Sequence, residues 1–255
     1  MRLALTLLAV LAAAQTPALK YEVASVKPSD PGARGGTGRP EPGGQRYRGT
    51  NLPLKSYISS AYQMKLDQVT GAPAWVDSDR FDIEAQAEKP SSLEEHHRMM
   101  QSLLAERFHL QFHMETKELP MYALTVDTSG AKLMLHDAAN SGDPWIEQTR
   151  DAPFHARWKA TASPMDLFAF RLAAIMDRPV VDQTGLKGNY DFTLTYTMDL
   201  PANAPPNFML NGEPVDTTGP TIYQAVRQQL GLRLEARKGP VKVMVIDHVE
   251  RPAAN

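Results

Sequence analysis

The sequence contains no cysteine, which removes thiolate nucleophiles, thiolate zinc sites, iron–sulfur clusters and disulfide staples at one stroke. It has no run of lysine and arginine, and its formal net charge is −2. The electrostatic footprint of a nucleic-acid-binding surface is therefore missing. Its one long apolar run, Leu3 to Ala14 with Thr6 as the only polar residue, is shorter than the roughly 20 residues of a membrane-crossing helix. No later segment approaches that length. Also absent are the Gly-x-Ser-x-Gly nucleophile elbow, the His-Glu-x-x-His zinc motif and a Gly-rich turn followed by Lys-Ser/Thr that would cradle phosphate.

The apolar run has its own meaning. Met1-Arg2 supplies one positive charge before it, and Ala12-Ala13-Ala14 supplies small residues after it. That order is the order of a secretory signal, here residues 1–14, with cleavage before Gln15. The expectation is a secreted or periplasmic protein with no transmembrane segment after cleavage. A secreted chain without disulfides must hold itself together by core packing. At 42% hydrophobic content, it is long enough to bury a large core.

Along the mature chain, the alternation in Tyr21 to Pro28 predicts a strand. Asp30 to Gly49 is rich in Gly, Pro and Arg without apolar periodicity and reads as a long exposed loop. Pro53, then Leu54, Tyr57, Ile58 and Ala61 at helical spacing, predict a first helix. Asp67 to Gly71 and Arg80 to Ala87 read as strands. Ser92 to Phe108 reads as a second helix, capped by Ser91 or Ser92, with Glu94 and Glu95 in its first turn. His109 to Thr116 and Met121 to Asp127 alternate as a hairpin turned near Glu118-Leu119-Pro120.

The second half repeats this plan in order. Tyr47-Arg48-Gly49-Thr50 corresponds to Trp158-Lys159-Ala160-Thr161, Pro53-Leu54 to Pro164-Met165, Tyr57 to Phe168 and Val69 to Val180. After a shift of two residues Phe81-Asp82-Ile83 matches Tyr190-Asp191-Phe192, and Pro120 later matches Pro240. Internal repeats of this kind change the fold expectation. The prediction is an α+β fold of two similar units, each a small mixed β-sheet with two packed helices. The units are 15–128 and 154–255, joined by a 129–153 linker in which Lys132 to Leu135 can add an edge strand. The second unit carries a Pro/Asn/Gly-rich loop insert at 199–219.

Four separated stretches resemble one family: Tyr21 to Pro28, Leu103-Leu104-Ala105-Glu106-Arg107-Phe108, Val180 to Phe192, and Val245 to Pro252. The family is that of soil-associated secreted bacterial proteins carrying a domain of unknown function. The resemblance spans nearly the whole mature chain and implies no activity, cofactor or catalytic residue. In topology each unit is also similar to the small α/β modules at the entrance of outer-membrane secretion and receptor proteins, a likeness that carries no function.

Candidate chemistry is sparse. His109 and His113 share a strand face but stand about 13 Å apart at ordinary strand rise, too far to ligate one ion. His96 and His97 are neighbours on a helix and point about 100° apart. Ser163 precedes Pro164 at a helix start and reads as a cap. Asp82 and Asp191, at matching places between large apolar residues, suggest one structural role used twice, such as capping a nearby turn. Asp182-Gln183-Thr184-Gly185 reads as a turn. Among the aromatics, Trp75, between Ala72-Pro73-Ala74 and Asp77-Ser78-Asp79, is the expected exposed ligand or partner surface. No catalytic, metal or cofactor-binding residue is assigned. The expectation is a non-catalytic binding module whose partner is an envelope or extracellular protein or peptide. The rival is a secreted hydrolase with a site between the units, assembled from His96, His97, His109, His113, His155, Asp82 and Asp191.

Overall fold

The computed structural model describes residues 18–137, 139–140, 143–200, 203–205, 208–210 and 213–253. The expected signal at 1–14 and parts of the 199–219 insert lie outside the described residues. In chain order the first half forms β1 (Val23–Pro28), β2 (Thr37–Pro40), β3 (Arg46–Pro53), α1 (Leu54–Ala61), a 3-10 turn (Leu66–Gln68), β4 (Val69–Thr70), α2 (Trp75–Ser78), β5 (Arg80–Gln86), α3 (Leu93–Arg107) and β6 (Gln111–Val126). The second half forms β7 (Met134–Leu135), β8 (Trp145–Ala152), β9 (His155–Ser163), α4 (Met165–Ile175), β10 (Val180–Asp182), β11 (Tyr190–Thr197), a small ribbon of β12 (Met209–Leu210) and β13 (Glu213–Pro214), α5 (Ile222–Leu230) and β14 (Leu232–His248).

Among the described residues these strands build three four-stranded sheets and the β12–β13 ribbon. The first sheet has the order β1-β5-β3-β2 and the second β7-β11-β9-β8, each antiparallel throughout. The third, β10-β6-β14-β4, is shared. Its centre is the antiparallel pairing of β6 with β14, from Leu232↔Val126 to His248↔Gln111. On the outer sides β10 lies parallel to β6 and β4 parallel to β14. Each half thus adds a short strand to the long strand of the other.

Local chemistry sets these elements. Strand β5 alternates exposed or half-buried with buried positions, placing Phe81, Ile83 and Ala85 inward, the period-two pattern of a half-buried strand. Helix α3 opens on a reciprocal box: Ser92 Oγ accepts from the Glu95 amide and Glu95 accepts from the Ser92 amide, which satisfies two orphan donors. His96, Met99, Met100, Leu103 and Leu104 form its buried stripe. Helix α5 has the same box, from Thr221 and Gln224, and ends at Gly231 in the left-handed region.

The core has two main parts. Leu54, Tyr57, Ile58, Phe81 and Phe108 pack in the first half with Met244 and Ile246 of β14. Trp158, Phe168, Phe192 and Leu230 pack in the second half with Tyr122 and Leu124 of β6. Met121, Ala123 and Val241 form a third, smaller cluster on the middle of the paired long strands.

Several expectations are corrected. There is no hairpin at Glu118-Leu119-Pro120, because β6 runs unbroken through it. Proline ended the strand on paper because it lacks a donor, but here none is needed. The Tyr122 amide donates outward, to Pro179; the nitrogen of Pro120, two residues earlier, points the same way, where β10 has not yet begun. The 30–49 loop contains β2 and the start of β3, and the 129–153 linker contains β7 and β8. Ser163 caps nothing: its hydroxyl donates to the Pro164 carbonyl, and α4 starts without a side-chain cap. Within the 199–219 insert the ribbon gives a short ordered piece.

Candidate functional site

The two matching aspartates hold two matching bulges. Pairing of β3 with β5 jumps from Gly49↔Ile83 to Leu52↔Phe81, and pairing of β9 with β11 jumps from Ala160↔Phe192 to Ser163↔Tyr190. Each jump leaves one residue in the left-handed region, Asn51 at φ 52 and Ala162 at φ 47, with its amide outside the ladder. The Asn51 amide donates to Asp82 Oδ1 at 2.8 Å, and the Ala162 amide to Asp191 Oδ1 at 2.8 Å. The second partner differs. The Ser29 hydroxyl donates to Asp82 at 2.6 Å, whereas His136 Nδ1 lies 2.9 Å from Asp191. The Ala162 amide, and after it His136, hold the Asp191 carboxyl below the usual carboxylate range. Asp191 in turn raises His136. His136 carries no sequence motif that marks it, and was not among the candidates.

The remaining candidates are dispersed. His96 is buried with both ring nitrogens engaged, 3.1 Å from the Tyr21 hydroxyl and 2.8 Å from the Gly44 carbonyl. His97 is half-buried, and burial, with His96 alongside, pushes it down to about 4. His109 is exposed at φ 49. His113 is exposed between Glu115 and Asp247, which raise it in that order. His155 meets the Asp216 carbonyl at 3.1 Å. Among the described residues no hydrogen bond joins any two of His96, His97, His109, His113, His155, Asp82 and Asp191, and no group of three or more His, Asp or Glu is placed to hold a metal ion. Asp182 and Thr184 form the expected turn, with the Thr184 amide 2.9 Å from Asp182 and Gly185 at φ 68. Trp75 opens the four-residue helix α2 rather than a turn. It is half-buried, edge-on to Phe81 at 6.4 Å, and the Arg251 guanidinium covers its ring at 4.9 Å, steadied by Asp79 at 2.9 Å.

The halves meet instead at a cleft. Its inner part, about 90 Å³, lies between Arg39 of β2, Tyr47 of β3 and His97 of α3 on one side, and Trp145 of β8 with Phe170 and Arg171 of α4 on the other. It opens into an outer groove of about 370 Å³ that shares Arg39, Leu93 and Trp145 and runs out past Pro42, Gly43 and Pro144. Trp145 is 39% exposed, on an edge strand of which Ile146 alone is buried. Arg171 is the only charge in the apolar stretch Leu167–Ile175 of α4. Its Nη2 donates to the Ile146 carbonyl at 3.5 Å. Burial lowers Arg171 from the usual arginine value, Tyr196 acting the other way, yet a guanidinium stays protonated. Among the described residues neither Arg39 nor Arg171 has a carboxylate partner. Elsewhere, a depression of about 510 Å³ beside Ser29 and Arg80 has its cations engaged: Arg80 donates to the Asn51 carbonyl and Arg251 pairs with Asp79. The sequence signal for the cleft was the lone Arg171 on an apolar helix; Arg39 and Trp145 fell in stretches read as loop and linker.

No helix among the described residues is long and apolar enough to cross a membrane. A family model described as a protein of unknown function (DUF3738) matches residues 55–249. No curated protein and no solved structure matches the chain.

Proposed function

We propose that the chain, which belongs to the DUF3738 family of proteins of unknown function, is an exported binding protein of the cell envelope or exterior whose ligand sits between its two halves. The observation that carries this reading is the cleft itself. It joins an aromatic and apolar wall, Tyr47, Trp145 and Phe170, to guanidinium groups that have no carboxylate partner among the described residues. Apolar walls with a few convergent polar groups are what a small-ligand site requires. Export is supported by the charge, apolar run and small residues of Met1 to Ala14.

The two halves are, in this reading, copies of one unit. Equal strand orders in the first two sheets and the same register jump at Asp82 and Asp191 support that duplication. So does the reciprocal loan of β4 and β10. Duplication places the cleft between two related surfaces, so that each half supplies one wall.

Thermal unfolding of residues 15–255 in the presence of organic acids, sugars and short peptides tests the binding role. At least one class should raise the melting temperature, and Trp145→Ala should abolish that rise. A chain whose melting responds to no class, or responds equally after Trp145→Ala, would overturn the cleft as the site. Sequencing the N-terminus of the protein recovered from the cell exterior should give Gln15 first; full-length chain retained in the cytoplasm would overturn export.

A further inference from the structure

Resting on the cleft as the binding site, we infer that it selects ligands carrying a single carboxylate next to an apolar group, either a small aryl or branched aliphatic acid or the C-terminal residue of a peptide. The titratable side chains lining the inner part are Arg39, Arg171, His96, His97 and Tyr47, with no carboxylate among them. His96 is spent on Tyr21 and Gly44, and His97 is held neutral at ordinary pH by its burial. The net charge facing the inner part is therefore that of the two guanidiniums. Arg171 has one long hydrogen bond to Ile146, which leaves most of its five donors unused. A planar fork of donors is the geometric complement of a carboxylate, which accepts two parallel bonds.

The surroundings narrow the anion further. Leu93, Ile146, Leu167 and Phe170 also line the inner part, and a doubly charged, strongly hydrated phosphate would lose its water there with few groups to replace it. Glu41 and Asp143 stand at the outer groove and repel polyanions. About 90 Å³ is the liquid volume of roughly three waters, room for a carboxylate and the first carbons beyond it. The rest of an apolar group then lies along Trp145, whose ring borders both the inner part and the groove.

Trp145 also supplies the readout. Phenylacetate, phenethylamine, inorganic phosphate, and the peptide Gly-Gly-Phe as free acid and as amide are each titrated against residues 15–255 by calorimetry and by tryptophan emission, the latter repeated in Trp145→Phe to isolate the cleft. The two free acids should bind and change Trp145 emission, with the amine, the amide and phosphate at least tenfold weaker. Arg171→Gln should weaken the acids at least tenfold while unfolding at the wild-type temperature, and Arg171→Lys should lie between the two. If Arg171→Gln is unfolded, Arg39→Gln and Arg171→Lys carry the comparison. A free-acid peptide tighter than phenylacetate identifies a chain terminus as the source, and the reverse order a small acid; both support the inference. Amine bound as tightly as acid, with Trp145 responding, would overturn the carboxylate selectivity and leave the binding site standing. Acids that bind equally after Arg171→Gln would overturn it too. Silence from every probe would overturn the inference, with the broader melting screen then deciding the fate of the site.

Discussion

Beneath the bulge of the first sheet, β3 carries Gly49 and α1 carries Tyr57; at the corresponding place in the second half, β9 carries Ala160 and α4 carries Phe168. A Cβ on Gly49 would collide with the Tyr57 hydroxyl and with the ring edge that carries it. That hydroxyl reaches past the strand to donate to the Phe81 carbonyl at 2.8 Å. Phe168 has no hydroxyl, packs edge-on to Phe192 at 4.9 Å, and leaves room for the Ala160 methyl. One small volume is thus filled by the hydroxyl end of a ring in one half and by a methyl in the other. The two solutions are alike in packing and differ in polarity: at this point the first ties its helix to its sheet by a hydrogen bond and the second by contact.

The largest expected effect tests that exchange. Gly49→Ala alone should destabilise by about 3 kcal/mol, the upper end of overpacking. Tyr57→Phe alone should cost about 1–2 kcal/mol through the lost bond to a buried carbonyl. The double variant should cost less than the sum, since a ring freed of its bond to Phe81 can shift from the new methyl toward the arrangement of the second half. Chemical denaturation of the three variants measures the coupling, and additive costs would show that methyl and hydroxyl do not compete for one space.

The bulge aspartates invite a second comparison. Asp82→Ala and Asp191→Ala should each cost about 2 kcal/mol, because each strands the amide of a left-handed residue. Denaturant midpoints of the two variants should fall together. A loss confined to one of them would show that the two bulges are not held alike.

The smallest effect separates the two latches by pH. His136 is raised by Asp191, so its share of the stability is complete below the unfolded histidine value of about 6.5 and is lost as pH rises through the higher folded value. Asp191 is lowered, so its share is present above its unfolded value of about 3.9 and is lost only as pH falls through the lower folded one. The pair therefore contributes fully from about pH 4 to 6.5 and less above. The gap in melting temperature between wild type and His136→Gln should shrink as pH rises above about 6.5. The gap for Ser29→Ala should stay constant, because a hydroxyl does not titrate in that range. A constant gap for His136→Gln would mean that the imidazole is held by geometry and not by charge.

Much of the local structure was legible in the sequence, and its limits have physical causes. The serine cap of α3, the Leu54–Tyr57–Ile58–Ala61 stripe and the alternation in β5 announce themselves within one element, because capping and amphipathicity act over a few residues. The continuity of β6 does not. Pro120 is tolerated only because its open side faces no neighbour, a fact fixed by where β10 lies. The aspartates were rightly singled out by their matching contexts, but Ser29 and His136 are set against them by sheet pairing over dozens of positions. The cleft was least legible. Arg39 and Trp145 sit in stretches whose Gly and Pro suggest loops, and only the folded arrangement brings them to Arg171.

The crossed loan of short strands has a consequence in time. The antiparallel partner of β6 is made about a hundred residues later in the chain, and such distant pairings close slowly. Met244 and Ile246 of that late strand fill the core of the first half, so the first half has a hole in it until β14 arrives. A ribosome, or any channel that passes the chain in order from its N-terminus, would therefore release a long stretch that is still incomplete. The first half can complete its core only when the last strand of the chain is in place.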